Sequence, residues 1–266
     1  MEKFDMELKN IYSTNKVVES NNLDLVVDTI NIYCKGLSKL TGIDVFYFQN
    51  IIKKVDFIRF SVDDELKQLE VENDCRTYNF NKSGKIGIVV KETDECRMVD
   101  GLTHEMTHFF MKFYTDSNSL IERNLDIDEK DSRLYEGICE FINQEAWHKI
   151  NPDRITIGEK EDKYWIEVQG ASLLMDSMNK DIFLENIFSN PNVIFDRMRQ
   201  VPYNDTNLLN YIDNQLKPLI SLRGRYKKSD VENFDILDSF EAICDCGKML
   251  KLGGNHNNEG SSQRKW

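Results

Sequence analysis

The sequence has no long apolar run and few residues that interrupt helices. No apolar stretch approaches the roughly 18–20 residues that a membrane-spanning helix needs, so we do not expect an integral membrane protein. Only four prolines and 13 glycines occur among the 266 residues. Because these two residues weaken or break helices, their scarcity favours long helices over many tight turns.

Positive charge is also in short supply. The chain has 34 lysines and arginines against 46 acidic residues, a net charge of -12. Without a long basic stripe, we expect no binding to nucleic acid. Charged and apolar residues alternate at the amino end, so no secretory signal is expected. The six scattered cysteines then predict reduced thiols in a cytoplasmic protein, although non-classical export or delivery as an effector stays open.

The apolar spacing predicts helices and strands in the first third of the chain. Residues 22–40 follow a helical period, and Gly42 is a plausible stop. Between about 43 and 92 the spacing becomes alternating, which predicts strands. These strands would contain Phe46 and Phe48, then Ile58 to Val62, and finally the hairpin TYNF-NKSG-KIGIVV.

Helical spacing returns in the rest of the chain. A helix over 96–114 has one apolar stripe, and a polar stretch separates it from a second helix over about 132–150. Further helices are predicted at about 159–179, 181–188, 192–200 and 205–222.

Two of the four histidines lie in the motif HEMTH within the helix over 96–114. His104 and His108 are one helical turn apart on the same side, which suits two nitrogens binding one zinc ion. Glu105 lies between them, where it could take a proton from a water molecule on the metal. The alternative, two ordinary histidines on a partly exposed helix, requires a chance match to a rare pattern.

A catalytic zinc ion needs a third protein ligand. Glu136 and Glu140 are also one turn apart, in RLYEGICEFINQ, and 28 residues after His108 leave room for an antiparallel return. We expect Glu136 to be the ligand and Glu140 to accept the ring N–H of a ligating histidine. The alternatives are solvated carboxylates, or His148 or His256 as the ligand, but these two lie at a helix end and in a tail.

The helix over 132–150 carries other indications of its packing. Gly137 costs about 1 kcal/mol relative to alanine inside a helix, and close approach of this helix to the metal helix would explain it. Trp147 lies about 20° from the face of Glu136, so it is expected to pack beneath the site. His148 lies about 120° from that face and is not expected to reach it.

The HExxH motif with a later glutamate on a second helix resembles the gluzincin metallopeptidases. The segment YEGICEF after HEMTHFF is similar to EEGICQ after HEMMHAW in one group of them. That group comprises the peptidase domain of the ubiquitin-activated, LIM-domain-containing plant growth regulators and its bacterial relatives. The similarity covers residues 86–148, lacks the LIM cysteines, and has Tyr135 in place of a glutamate. It implies a zincin-like fold, one zinc ion on His104, His108 and Glu136, and cleavage of protein substrates.

The expected mechanism leaves two features open. Zinc and Glu105 would activate a water molecule that attacks a peptide carbonyl. The developing oxyanion needs a further donor, for which the candidates are Tyr135, Tyr164, Tyr211 and Arg133. The strand KIGIVV could either offer a free edge to an extended substrate or be wholly paired within the sheet.

Together these patterns predict an α+β fold and a zinc-dependent endopeptidase. Residues 1–115 would form a lobe with a small antiparallel or mixed sheet and the HExxH helix. Residues 116–251 would form a mainly helical lobe with the glutamate helix, and 252–266 a flexible tail. The alternatives are a catalytically silent zincin-fold binding or regulatory protein, a zinc hydrolase of non-peptide bonds, and a dedicated peptidase that cuts a single regulatory partner. The oligomeric state is not predictable from the sequence.

Overall fold

The computed structural model shows a mainly helical α+β chain. It describes residues 2–60, 77–80, 85–90, 94–116, 119–123, 125, 132–160, 164–203, 206–221 and 238–248. The α+β class expected from the sequence is confirmed in this coarse sense. The predicted tail at 252–266 lies outside the described residues.

Three helices open the first compact unit, which comprises Met1–Asn124 and Ile142–Glu161. They are α1 (Glu2–Thr14), α2 (Leu23–Thr41) and α3 (Val45–Ile52). Gly42 ends α2, as the sequence predicted, and it does so in the left-handed conformation. The strand expected around Phe46 and Phe48 is wrong. Asp44 caps a helix there by accepting the N–H of Phe46 at 2.8 Å.

A three-stranded sheet follows these helices. It consists of β1 (Phe57–Phe60), β2 (Thr77–Phe80) and β3 (Lys85–Val90), in the order β1-β3-β2. The parallel partner of β3 is β1, and the antiparallel partner is β2, so the predicted hairpin pairing is confirmed. Its turn lies outside the described residues. Because β3 is hydrogen-bonded on both sides, the free edge considered for KIGIVV is wrong and the fully paired alternative is confirmed.

The HExxH helix is α4 (Glu95–Lys112), and four residues separate it from the end of the central strand β3. A small antiparallel hairpin comes next, formed by β4 (Phe113–Asp116) and β5 (Ser119–Glu122). The sequence predicted only a polar connection there, so this hairpin is a correction. Each strand is only four residues long, and their apolar or aromatic residues are adjacent rather than alternating, so the pattern of a strand was weak.

The glutamate helix is α5 (Arg133–His148), and it is one continuous helix. Its residues to Phe141 belong to the second compact unit, and those from Ile142 to the first. The short helix α6 (Ile157–Lys160) completes the first unit. The sequence analysis predicted a boundary at residue 115 and so placed all of α5 and α6 in the lobe that follows it.

The second unit comprises Leu125–Phe141 and Asp162–Trp266, and its described part is almost entirely helical. Phe183, Phe188 and Phe195 are fully buried in it. Its four helices between residues 165 and 221 agree with those expected from the sequence, whereas its two-residue strands and its last described helix were not expected. The elements of this unit are α7 (Trp165–Met178), α8 (Lys180–Ser189), α9 (Pro191–Gln200), the two-residue strands β6 (Pro202–Tyr203) and β7 (Thr206–Asn207), α10 (Leu208–Ser221) and α11 (238–248).

None of the helices in the described part of the chain has the length and apolar character that crossing a bilayer requires.

Candidate metal centre

The HExxH residues lie on the buried face of α4. Asp94 caps this helix by accepting the N–H of Arg97 at 3.3 Å. Leu102, Met106 and Phe109 are almost completely buried and form the predicted apolar stripe, which fixes the rotation of the helix. This rotation leaves the two motif histidines on an adjoining face.

His104 and His108 face each other across one helical turn. Their Nε2 atoms are 3.1 Å apart, and their ring centroids are 4.9 Å apart. His104 is buried and His108 is half-buried. Two imidazoles that direct the same nitrogen to one point are suited to hold a cation between them.

The first turn of α5 is tied down by a buried carboxylate from α10. Asp213 accepts the N–H of Leu134 at 2.9 Å and the hydroxyl of Ser132 at 3.4 Å. Ser132 in turn accepts the N–H of Tyr135 at 3.2 Å. Burial raises the pKa of Asp213 above its ordinary value, and the hydrogen bonds that it accepts oppose this rise. These caps fix the helical turn that leads to Glu136.

Gly137 allows α5 to approach α7 closely. A methyl group on Gly137 would come within 2.5 Å of the carbonyl carbon of Glu167, and closer still to its oxygen. Glu167 itself is completely buried. The expectation that this glycine makes room for the metal helix is therefore wrong, because its closest neighbour is the backbone of α7.

The carboxyl-terminal half of α5 packs against α2 and α4. Trp147 donates its ring N–H to Thr103 at 3.1 Å, next to His104 in the chain. Ala146 lies very close to Gly36 on α2. A methyl group added to Gly36 would be 3.1 Å from the carbonyl carbon of Ala146. These contacts confirm that Trp147 packs against the metal helix. His148, by contrast, interacts with Glu159 at 3.2 Å, consistent with its predicted exclusion from the site.

Asp100 connects the start of α6 to α4, one turn before His104. It forms an ion pair with Arg154 and accepts the N–H of Ile157 at 2.6 Å. The guanidinium of Arg154 also lies 3.8 Å from the centroid of the Trp147 ring. This arrangement links the packing of α5 to the same stretch of α4 that carries the histidines.

The end of α4 is closed by Arg123, which follows the β4–β5 hairpin. Its guanidinium donates to the carbonyls of Phe110, Met111 and Phe113 at 2.8–3.2 Å. It also donates to the hydroxyl of Tyr47 at 2.8 Å. These bonds satisfy carbonyl groups that a helix end leaves without intrahelical partners.

His104, His108 and Glu136 form one group that could hold a metal ion. One ligand atom from each of them lies within 4.8 Å of the other two. A tetrahedral zinc ion with bonds of about 2.0–2.1 Å separates its ligand atoms by about 3.4 Å. The two histidine nitrogens, 3.1 Å apart, are close to that spacing. Two imidazoles and one carboxylate also match the donors of catalytic zinc sites.

Two further acidic residues adjoin this group in the sequence. Glu105 is buried on α4 between the two histidines. Glu140 is buried on α5, one turn after Glu136. Both therefore lie on the helices that supply the ligands.

The four oxyanion-donor candidates have different surroundings. Tyr135 is buried, with its ring centroid 6.1 Å from that of Phe195. Tyr164 is half-buried and adopts the left-handed conformation (φ 62°) just before α7. Tyr211 is half-buried on α10, and Arg133 is half-buried at the start of α5.

A scan against protein-family models, a search of curated proteins and a search of solved structures each found no match.

Proposed function

We propose that this chain is a zinc-dependent endopeptidase of gluzincin type that hydrolyses peptide bonds in protein or peptide substrates. The observation that carries this proposal is the grouping of His104, His108 and Glu136 within 4.8 Å. A buried acid, Glu105, lies between the two histidines. Three ligands leave a fourth position of a tetrahedral ion for water or substrate, which is the arrangement of catalytic rather than structural zinc.

The sheet supports a zincin-like arrangement and a place for the substrate. The outer strand β2 is antiparallel to β3, and β3 immediately precedes the metal helix. Among the described strands, β2 pairs only with β3, so its other edge has no described partner strand. An extended peptide that adds to this edge would gain main-chain hydrogen bonds independently of its sequence.

The chain's own residues would divide the chemistry between them. His104, His108 and Glu136 would hold the ion, and zinc when bound acts as a Lewis acid that makes water acidic near neutral pH. Glu105 would accept a proton from the attacking water and deliver it to the leaving amine. Glu140 would accept a ring N–H from a ligating histidine and so fix its orientation. The oxyanion donor would come from one of three tyrosines, Tyr135, Tyr164 or Tyr211.

The variant Glu105→Gln tests this assignment. We expect it to retain zinc but to cleave casein about 100- to 10,000-fold more slowly, because the amide cannot accept the proton. Glu19→Gln, at an exposed position, is the control for loss of one negative charge and should behave like the wild type. Zinc content is measured by elemental analysis of both proteins, and cleavage by release of labelled peptides.

The outcomes separate the alternatives. Full activity of Glu105→Gln with zinc bound would remove Glu105 as the base. A wild-type protein that binds zinc but cleaves no protein or peptide would instead indicate a silent binding protein. The variant Glu136→Ala should lower zinc content, and unchanged affinity would exclude Glu136 as the third ligand.

A further inference from the structure

Arg133 is the first residue of α5 and lies one turn before Glu136. Residues three apart on a helix differ by about 60° in direction and by about 4.5 Å along the axis. Helical side chains also lean towards the amino end. The half-buried side chain of Arg133 therefore lies on the same side of α5 as the candidate ligand, beyond it towards the start of the helix.

The position of Arg133 is electrostatically unfavourable. The first turn of a helix carries a partial positive charge, which attracts acids and repels cations. The carboxylate of Asp213 lies at this end of α5. It accepts hydrogen bonds from the N–H of Leu134 and the hydroxyl of Ser132. The backbone N–H of Arg133 also donates to Asp213, and this hydrogen bond lowers the pKa of that carboxyl group. The acid that caps the helix is thus engaged by other groups.

Other arginines of the chain have identified acceptors. Arg154 forms an ion pair with Asp100, Arg199 with Asp196, and Arg123 donates to three carbonyls. Among the residues that the structure describes, no hydrogen bond or ion pair joins the guanidinium of Arg133 to an acceptor. A half-buried guanidinium in this position offers its donors to a group from outside the fold, and their planar fork matches a carboxylate.

We propose that Arg133 binds a carboxylate of the substrate, so that this chain prefers peptides with an acidic group near the scissile bond. The proposal rests on the peptidase function proposed above and names its substrate class. The carboxylate could be an aspartate or glutamate side chain or the terminal carboxylate of a peptide. Arg133 touches only the substrate in this role, and the specificity comes from its charge-assisted hydrogen bonds.

A matched set of peptides tests the proposal. One series moves a single glutamate through the positions that flank the cleaved bond, and the second series carries glutamine at the same positions. A third compares free with amidated carboxyl ends. We expect Arg133→Gln to lower kcat/KM for the preferred acidic peptides about 10- to 100-fold, mainly through KM, and to change the neutral ones less than about twofold.

Control variants separate specificity from folding. Arg59→Gln removes a half-buried arginine from β1 and should change neither series. Arg133→Lys keeps the charge without the planar fork, so it should recover only part of the preference. Arg133→Gln should retain zinc and unfold at an equal or slightly higher temperature, because a cation leaves the helix start.

Each result has a defined meaning. If Arg133→Gln keeps the wild-type preference for glutamate and for a free carboxyl end, the proposal is overturned and the peptidase function stands. An equal loss on acidic and neutral peptides would also overturn it and would indicate an oxyanion donor instead. If the zinc-loaded wild type cleaves none of the peptides, the peptidase function fails and this substrate class fails with it.

Discussion

Replacing Gly137 with alanine would place a methyl group against the backbone of α7. The new carbon would be 2.5 Å from the carbonyl carbon of Glu167, whereas ordinary contacts begin at 3.4 Å. The two helices would therefore have to separate by at least about 0.9 Å, because the carbonyl oxygen of Glu167 is closer still. Backbone atoms cannot rotate away as the end of a side chain can, so the movement falls on α5 itself.

This movement should reduce both stability and metal affinity. Relief of the overlap costs about 1–3 kcal/mol, and the better helix propensity of alanine returns about 1 kcal/mol. We expect the free energy of unfolding to fall by about 1–2 kcal/mol. Metal sites tolerate about 0.2 Å in ligand distance. Displacement of Glu136, the neighbour of Gly137, should therefore weaken zinc binding at least about tenfold, as supporting-residue variants do.

Gly170→Ala provides the matched comparison. Gly170 is also within a helix, α7, but its nearest neighbour would be a methyl carbon of Leu216 at 2.9 Å, which can rotate away. This variant should remain within about 1 kcal/mol of the wild type and bind zinc normally. Urea unfolding and zinc titration with a competing chelator measure the two effects. If the two alanine variants have the same stability and zinc affinity, close contact with α7 does not place Glu136.

Two further predictions concern buried acids and thiols. Burial raises the pKa of Asp213, so at pH values around and above its ordinary pKa of 3.8 the native protein holds more protons at this residue than the unfolded chain does. The contribution of Asp213 to stability therefore falls as the pH rises from 3.8 through the raised pKa. In urea unfolding, the stability difference between Asp213→Asn and the wild type should therefore shift in favour of asparagine as the pH rises above 3.8, and a pH-independent difference would contradict this. Burial also raises the pKa of Cys34 and raises that of Cys246 to about 12, whereas Cys96 is exposed. A thiol reagent followed by peptide mapping should label native Cys96 well before Cys34 or Cys246, and equal labelling rates would refute the buried positions.

The grouping of metal ligands followed from local geometry in the sequence. The spacing of His104 and His108, and the helix that carries Glu136, depend on a period of 3.6 residues that any chain in helical form obeys. The convergence of the two helices was inferred because Glu136 follows His108 by 28 residues, and the structure brings the three side chains together. What they bind and whether they catalyse a reaction remain proposals.

Features that depend on distant partners were not predictable. Ser132 stood at the expected helix start, but nothing in the sequence identified Asp213, 81 residues away, as its partner. Gly137 indicated a close approach, yet a glycine does not reveal which helix comes near.

Helix α1 was missed although its signal is local. Phe4, Leu8 and Tyr12 are spaced by four and are all buried, so this helix could have been predicted from the sequence.

The cap that Arg123 forms on α4 has a consequence for how long an ion would stay bound. The last turn of a helix opens more often than its middle, and His108 lies four residues before the end of α4. By holding the carbonyls of Phe110 and Met111 in the last turn, and that of Phe113 just after it, Arg123 makes that opening more costly. The dissociation rate of a metal from His108 would then be governed partly by a residue outside the metal group.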